Sequence, residues 1–98
     1  MMNNMQDITT HDTFKTVIKA LSLCLPTTTL YALKNVTEDD LCLFHFGLGT
    51  WLRNDLLVPE AALFQFFVKN GITHADDMSG IIIRELWKHL RNGKLVEK

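Results

Sequence analysis

An all-α fold, one compact domain of four or five helices, is predicted by three observations on this 98-residue chain. Apolar residues recur at three- and four-residue intervals through residues 14–25, 41–52 and 78–90, the period of a helix with one buried stripe. Prolines and glycines stand between those stretches, at Pro26, Pro59, Gly71 and Gly93, where helices stop and start. No repeat, low-complexity run or linker interrupts residues 10–93, and the length leaves room for one hydrophobic core.

Residues 1–9 are polar and rich in Met and Asn, which predicts a frayed tail; residues 10–93 form the domain and 94–98 a second tail. The first helix carries Phe14, Val17, Ile18, Leu21 and Cys24, begins at a cap on Thr10 or Asp12, and ends at Pro26. Thr27-Thr28-Thr29 then caps a short helix through Leu33 that ends at Asn35. Thr37-Glu38-Asp39-Asp40 is the clearest helix start, a hydroxyl cap followed by three carboxylates at the positive end of the dipole. From there the period Leu41, Phe44, Leu48, Trp51, Leu52 stays in phase to Asn54, which predicts one continuous central helix; a break at Gly47-Leu48-Gly49 is the competing reading. Each glycine costs about 1 kcal/mol inside a helix, a loss that close approach of a neighbouring helix would offset.

Pro59 falls at the expected first position of a helix running from Ala61 to Lys69 and closed by Asn70-Gly71. The final helix opens at Asp76-Asp77 and ends at Asn92-Gly93. Ile81-Ile82-Ile83 within it is helical rather than a strand, because Met78, Ile82 and Leu86 continue one face and Ile83, Trp87 and Leu90 another.

The net charge of −1 excludes a general attraction to nucleic acid or anionic membrane. Charge divides along the chain, −2 over residues 1–40 and +3 over residues 84–98. The apolar runs are too short to span a bilayer, and no basic, then apolar leader opens the chain, so a cytoplasmic protein is expected. Cys24 and Cys42 fit no redox or zinc spacing and read as buried, reduced thiols.

Catalytic chemistry finds no anchor. His11-Asp12 and His74-x-Asp76-Asp77 lie at helix starts, where capping explains the aspartates, and neither supplies three convergent metal ligands. Cys42 and His45 lack the electropositive setting of a reactive thiol, and no phosphate-cradling glycine loop is present. Neither catalytic residues nor a metal or cofactor are therefore expected. Two charged groups are candidate partner contacts: the acidic Glu38, Asp39 and Asp40, and the basic stripe Arg84, Lys88 and Arg91. That stripe is also where a weak nucleic-acid contact would sit.

The stretch Phe44-His45-Phe46-Gly47-Leu48-Gly49-Thr50-Trp51-Leu52-Arg53-Asn54, with His74-Ala75-Asp76-Asp77-Met78-Ser79 downstream, is distinctive. Over residues 37–94 the chain resembles a family of small bacterial helical domains of unassigned biochemistry that share F-H-F-G-L-G-x-W-[IL]-R-N and H-P-D-D-M-S. It departs at Ala75, where proline is usual, and at Asp55-Leu56, where a more aromatic continuation is common. Members occur beside polymorphic toxin genes of Rhs-type and contact-dependent systems. The resemblance implies an immunity protein that binds a cognate toxin domain and occludes its active site or substrate surface, with no enzymatic activity. The alternative is a small regulatory or adaptor domain touching nucleic acid through the last helix. The polar motif positions Arg53, Asn54, His74, Asp76 and Asp77 read first as structural, Arg53 pairing with an aspartate and Asn54 capping its helix.

Overall fold

The computed structural model describes residues 8–92, which form an all-α fold with no strand among them. Helix α1 spans Asp12–Cys24, α2 Thr27–Asn35, α3 Leu48–Trp51, α4 Ala62–Lys69 and α5 Ala75–Arg91. A 3-10 helix, Glu38–Phe44, precedes α3, and a π-helical turn, Leu52–Leu56, follows it. From Asp12 onward the described residues thus hold seven helical segments where four or five helices are predicted, because one expected helix is divided into three.

Local signals fix most boundaries. The chain bends by 115° between α1 and α2, where Pro26 stands. The end of α4 is a Schellman closure: Gly71 takes φ 91°, its N–H donates to the Val68 carbonyl, and the Ile72 N–H donates to Phe67. Glycine fits there because a side chain rarely tolerates that φ. Pro59 stands before the helix, not at its first position: Ala61 N–H donates to Val58 O at 2.9 Å, closing a turn with proline second. The residues preceding α1, α2 and α5 are His11, Pro26 and His74, and none of these three makes a side-chain capping bond.

The predicted tail also needs correction. Residues 1–7 and 93–98 lie outside the described residues, but Ile8 is helical and fully buried, so the packed domain reaches back beyond residue 10.

The segment from Glu38 to Leu56 departs most from expectation. In the 3-10 helix, residues three apart eclipse one another, so Leu41 and Phe44 turn toward the core while Leu43 faces solvent. Turn residues 45–47 follow, and Gly47 at φ −90°, ψ −80° separates this helix from α3. The π turn then bonds Leu57 N–H to Leu52 O at 2.8 Å, bringing two buried leucines five residues apart to the same interior.

The hub is therefore α5, and not the segment 37–54. It buries Met78, Ser79, Ile81, Ile82, Ile83, Leu86 and Leu90 and meets every other helical segment. Three consecutive isoleucines cover a wide arc at 100° per residue, so neighbours pack on more than one side of it. No single helix among the described residues is long and apolar enough to cross a membrane.

Candidate functional site

The two distinctive motifs meet in space, and Arg53 joins them. Its Nη1 donates to Ser79 Oγ at 3.1 Å, its Nη2 to Thr50 Oγ1 at 3.1 Å and to the His45 carbonyl at 3.4 Å, and its Nε lies 3.4 Å from Asp76 Oδ1. Buried Ser79 in turn donates to the Asp76 carbonyl. The guanidinium thereby ties the turn after the 3-10 helix, α3 and the first turn of α5 into one unit. Of the motif's polar positions, the structure brings together Arg53 and Asp76, as expected of an arginine pairing with an aspartate. Asn54, His74 and Asp77 are exposed; Asn54 caps nothing, since a π turn closes its segment. Ser79 and Thr50 are members that the sequence reading missed.

Gly49 makes room for this arrangement. A Cβ there would stand 3.0 Å from Arg53 Nη1 and 3.6 Å from Ile83 Cδ1, so the close approach predicted from the glycines is real at this position. At Gly47 a Cβ would meet nothing within 4 Å. Gly49→Ala is expected to lower stability by about 1 kcal/mol, displacement of the guanidinium outweighing the helix propensity gained, while Gly47→Ala is neutral or stabilising by about 0.5 kcal/mol. Chemical denaturation of the two variants checks this contrast.

The charged candidates are rearranged by the fold. Arg84 pairs with Glu38, joining one member of each predicted patch. Lys88 pairs with Glu85 at 3.4 Å on its own helix. Arg91 donates to Lys34 O at 3.0 Å at the carboxyl end of α2 and lies 5.1 Å from the centre of the Trp87 ring, whose Nε1 donates to Val36 O. Arg84 and Arg91 thus hold α5 against the 3-10 helix and α2. Asp39 and Asp40 keep exposed carboxylates with no ion pair among the described residues.

Both cysteines are free and exposed, correcting the expectation of buried thiols. Cys24 ends α1 beside an open groove, and the 3-10 geometry turns Cys42 outward, its thiol donating weakly to Asp39 O at 3.6 Å. His11 packs edge-on against Phe66, with ring centres 5.3 Å apart. No group of three or more His, Cys, Asp or Glu side chains among the described residues is placed to hold a metal ion.

The most conspicuous surface feature is apolar. Phe46 is 82% exposed, Tyr31 73%, Leu43 68%, Leu23 67% and Trp51 41%. A groove of about 700 Å³ runs between the α1–α2 corner and the segment 44–51, lined by Leu25, Pro26, Ala32, Phe44, Leu48 and Trp51 among others, with no charged residue. Leu23, Tyr31, Leu43 and Phe46 each adjoin in sequence a residue that lines it. A signal for this existed in Phe44-His45-Phe46: two aromatics two residues apart cannot share one helix face.

The model of a family described as a domain of unknown function (DUF6794) matches residues 12–90. No curated protein and no solved structure matches the chain.

Proposed function

Since the chain belongs to the DUF6794 family, whose description assigns no activity, we propose on its own geometry that it is a non-enzymatic, protein-binding immunity factor. In this reading it acts in the bacterial cytoplasm, where it neutralises a cognate toxin domain by occluding that domain's active site or substrate surface. The observation that carries the binding role is the uncharged groove, with Trp51 exposed in its lining and four further large apolar side chains exposed at positions that adjoin its lining in sequence. Burying apolar area contributes roughly 25 cal/mol per Å², so surface of this kind is worth most when a partner covers it. Aromatic side chains such as Phe46, Tyr31 and Trp51 are enriched at the energetic centres of interfaces.

The toxin as partner rests on the resemblance of residues 37–94 to domains found beside polymorphic toxin genes. Glu38 spends its carboxylate on Arg84, which leaves Asp39 and Asp40 as the acidic contacts for a basic toxin cleft. The stripe Arg84, Lys88 and Arg91 is engaged within the protein, and no feature of it favours the nucleic-acid reading.

The test is co-expression with the toxin domain encoded beside the gene, followed by co-purification and a growth-rescue assay. The wild-type chain is expected to co-purify and rescue growth. Phe46→Asp combined with Trp51→Asp is expected to weaken the complex about 100-fold or more while the helical circular dichroism is retained, since two aromatic anchors are removed. Undiminished co-purification of the double variant would overturn the groove as the contact surface, and failure of the wild type to bind or rescue would overturn the immunity reading.

A further inference from the structure

A second surface, sharing no lining residue with the apolar groove, lies where α1 packs on α5. Lys15 and Lys19 stand one turn apart on α1 and are exposed, and neither ammonium has a partner among the described residues. Across a cleft of about 440 Å³ stands Lys88 of α5 with its partner Glu85, over a floor that includes Phe14 and Ile18. These groups give a local balance of +2 in a chain whose net charge is −1. The two lysines of α1 belong to the half of the sequence that is acidic by count. Only the packing of α1 against α5 sets them beside Lys88.

We propose that this cleft binds an acidic, extended segment of a partner protein, Lys15 and Lys19 each pairing with one of two carboxylates spaced two residues apart. Spacing supports this occupant. Side chains at i and i+4 on a helix lie about 5–6 Å apart, and residues i and i+2 of an extended strand present side chains on one face about 6.7 Å apart. Flexible lysine stems absorb the difference. A nucleic-acid strand fits less well: the cleft offers no arginine fork, its Phe14 ring is buried and its His89 imidazole is half-buried, so no open aromatic face is offered to a base. The proposal holds whether or not the apolar groove receives a toxin.

The test uses the full chain and a fluorescein-labelled decapeptide with glutamate at every second position and serine or alanine between. Anisotropy titrations are run beside the same peptide carrying glutamine for glutamate and beside a labelled ten-nucleotide RNA. The glutamate peptide is expected to bind, to lose about tenfold in affinity between 50 and 300 mM salt, and to lose about tenfold with Lys15→Glu plus Lys19→Glu. Lys15→Gln plus Lys19→Gln, a milder change at the same exposed sites, is expected to lose about threefold. Equal binding of the glutamine peptide, tighter binding of the RNA, no binding of the glutamate peptide, or an affinity unchanged in both lysine variants would each overturn the proposal.

Discussion

Arg53→Ala is expected to lower stability by about 2–3 kcal/mol, a fall in Tm of roughly 10–20 °C for a domain of this size. Most of that loss comes from the two 3.1 Å hydrogen bonds, to Ser79 Oγ and Thr50 Oγ1, made by a side chain only 20% exposed. The ion pair with Asp76 adds little, because that carboxylate is 71% exposed and water screens it. Ser79 would keep its bond to the Asp76 carbonyl, so the cost stays below that of stranding a buried hydroxyl. Arg53→Lys is expected to recover less than half, because one ammonium cannot reach Ser79, Thr50 and the His45 carbonyl in the directions that a guanidinium serves together. Thermal unfolding followed by circular dichroism checks both variants, and an alanine variant melting within about 3 °C of wild type would rule out a structural role of this size.

Phe67→Ala is expected to cost about 3–5 kcal/mol, enough to leave much of a small domain unfolded at 37 °C. Phe67 is fully buried and lies edge-on to Phe14 of α1, with ring centres 6.1 Å apart, and to its neighbour Phe66 at the same distance. Deleting the ring removes buried apolar surface and opens a cavity between α4 and α1 that a helix of eight residues cannot easily close. Leu63, Phe64, Phe66 and Val68 of α4 are only partly buried, so little else anchors that helix. Phe67→Leu preserves most of the volume and is expected to cost about 1.5 kcal/mol. Urea titration distinguishes the two; an alanine variant losing less than 1 kcal/mol would mean that the core closes over the missing ring.

The candidate site was legible in part. Both motifs stood out in the sequence, and the pairing of Arg53 with an aspartate follows from their polar residues. Ser79 did not announce itself, because a serine inside a helical stretch looks the same whether it faces solvent or a guanidinium contributed 26 residues earlier. The exposure of Leu43 and Phe46 escaped for a related reason. An apolar period counted at 3.6 residues per turn shows which residues are hydrophobic, but a 3-10 turn followed by a π turn changes which of them point inward.

What the sequence determined by itself is the set of features that backbone chemistry decides locally. Helices flank Pro26, α4 closes on Gly71, and α5 runs unbroken through three isoleucines, because a missing amide, a left-handed φ and a 3.6-residue apolar repeat act within a few residues. What only the tertiary structure decided is which surfaces are shared. It divided the stretch 38–56 into three helical forms, made α5 the hub, joined Glu38 to Arg84, and set Lys15 and Lys19 beside Lys88. Charge and hydrophobicity counted along a chain carry no information about which helix faces meet. That choice falls to packing, which brings residues dozens of positions apart within a few ångströms and so determines what the surface offers to a partner.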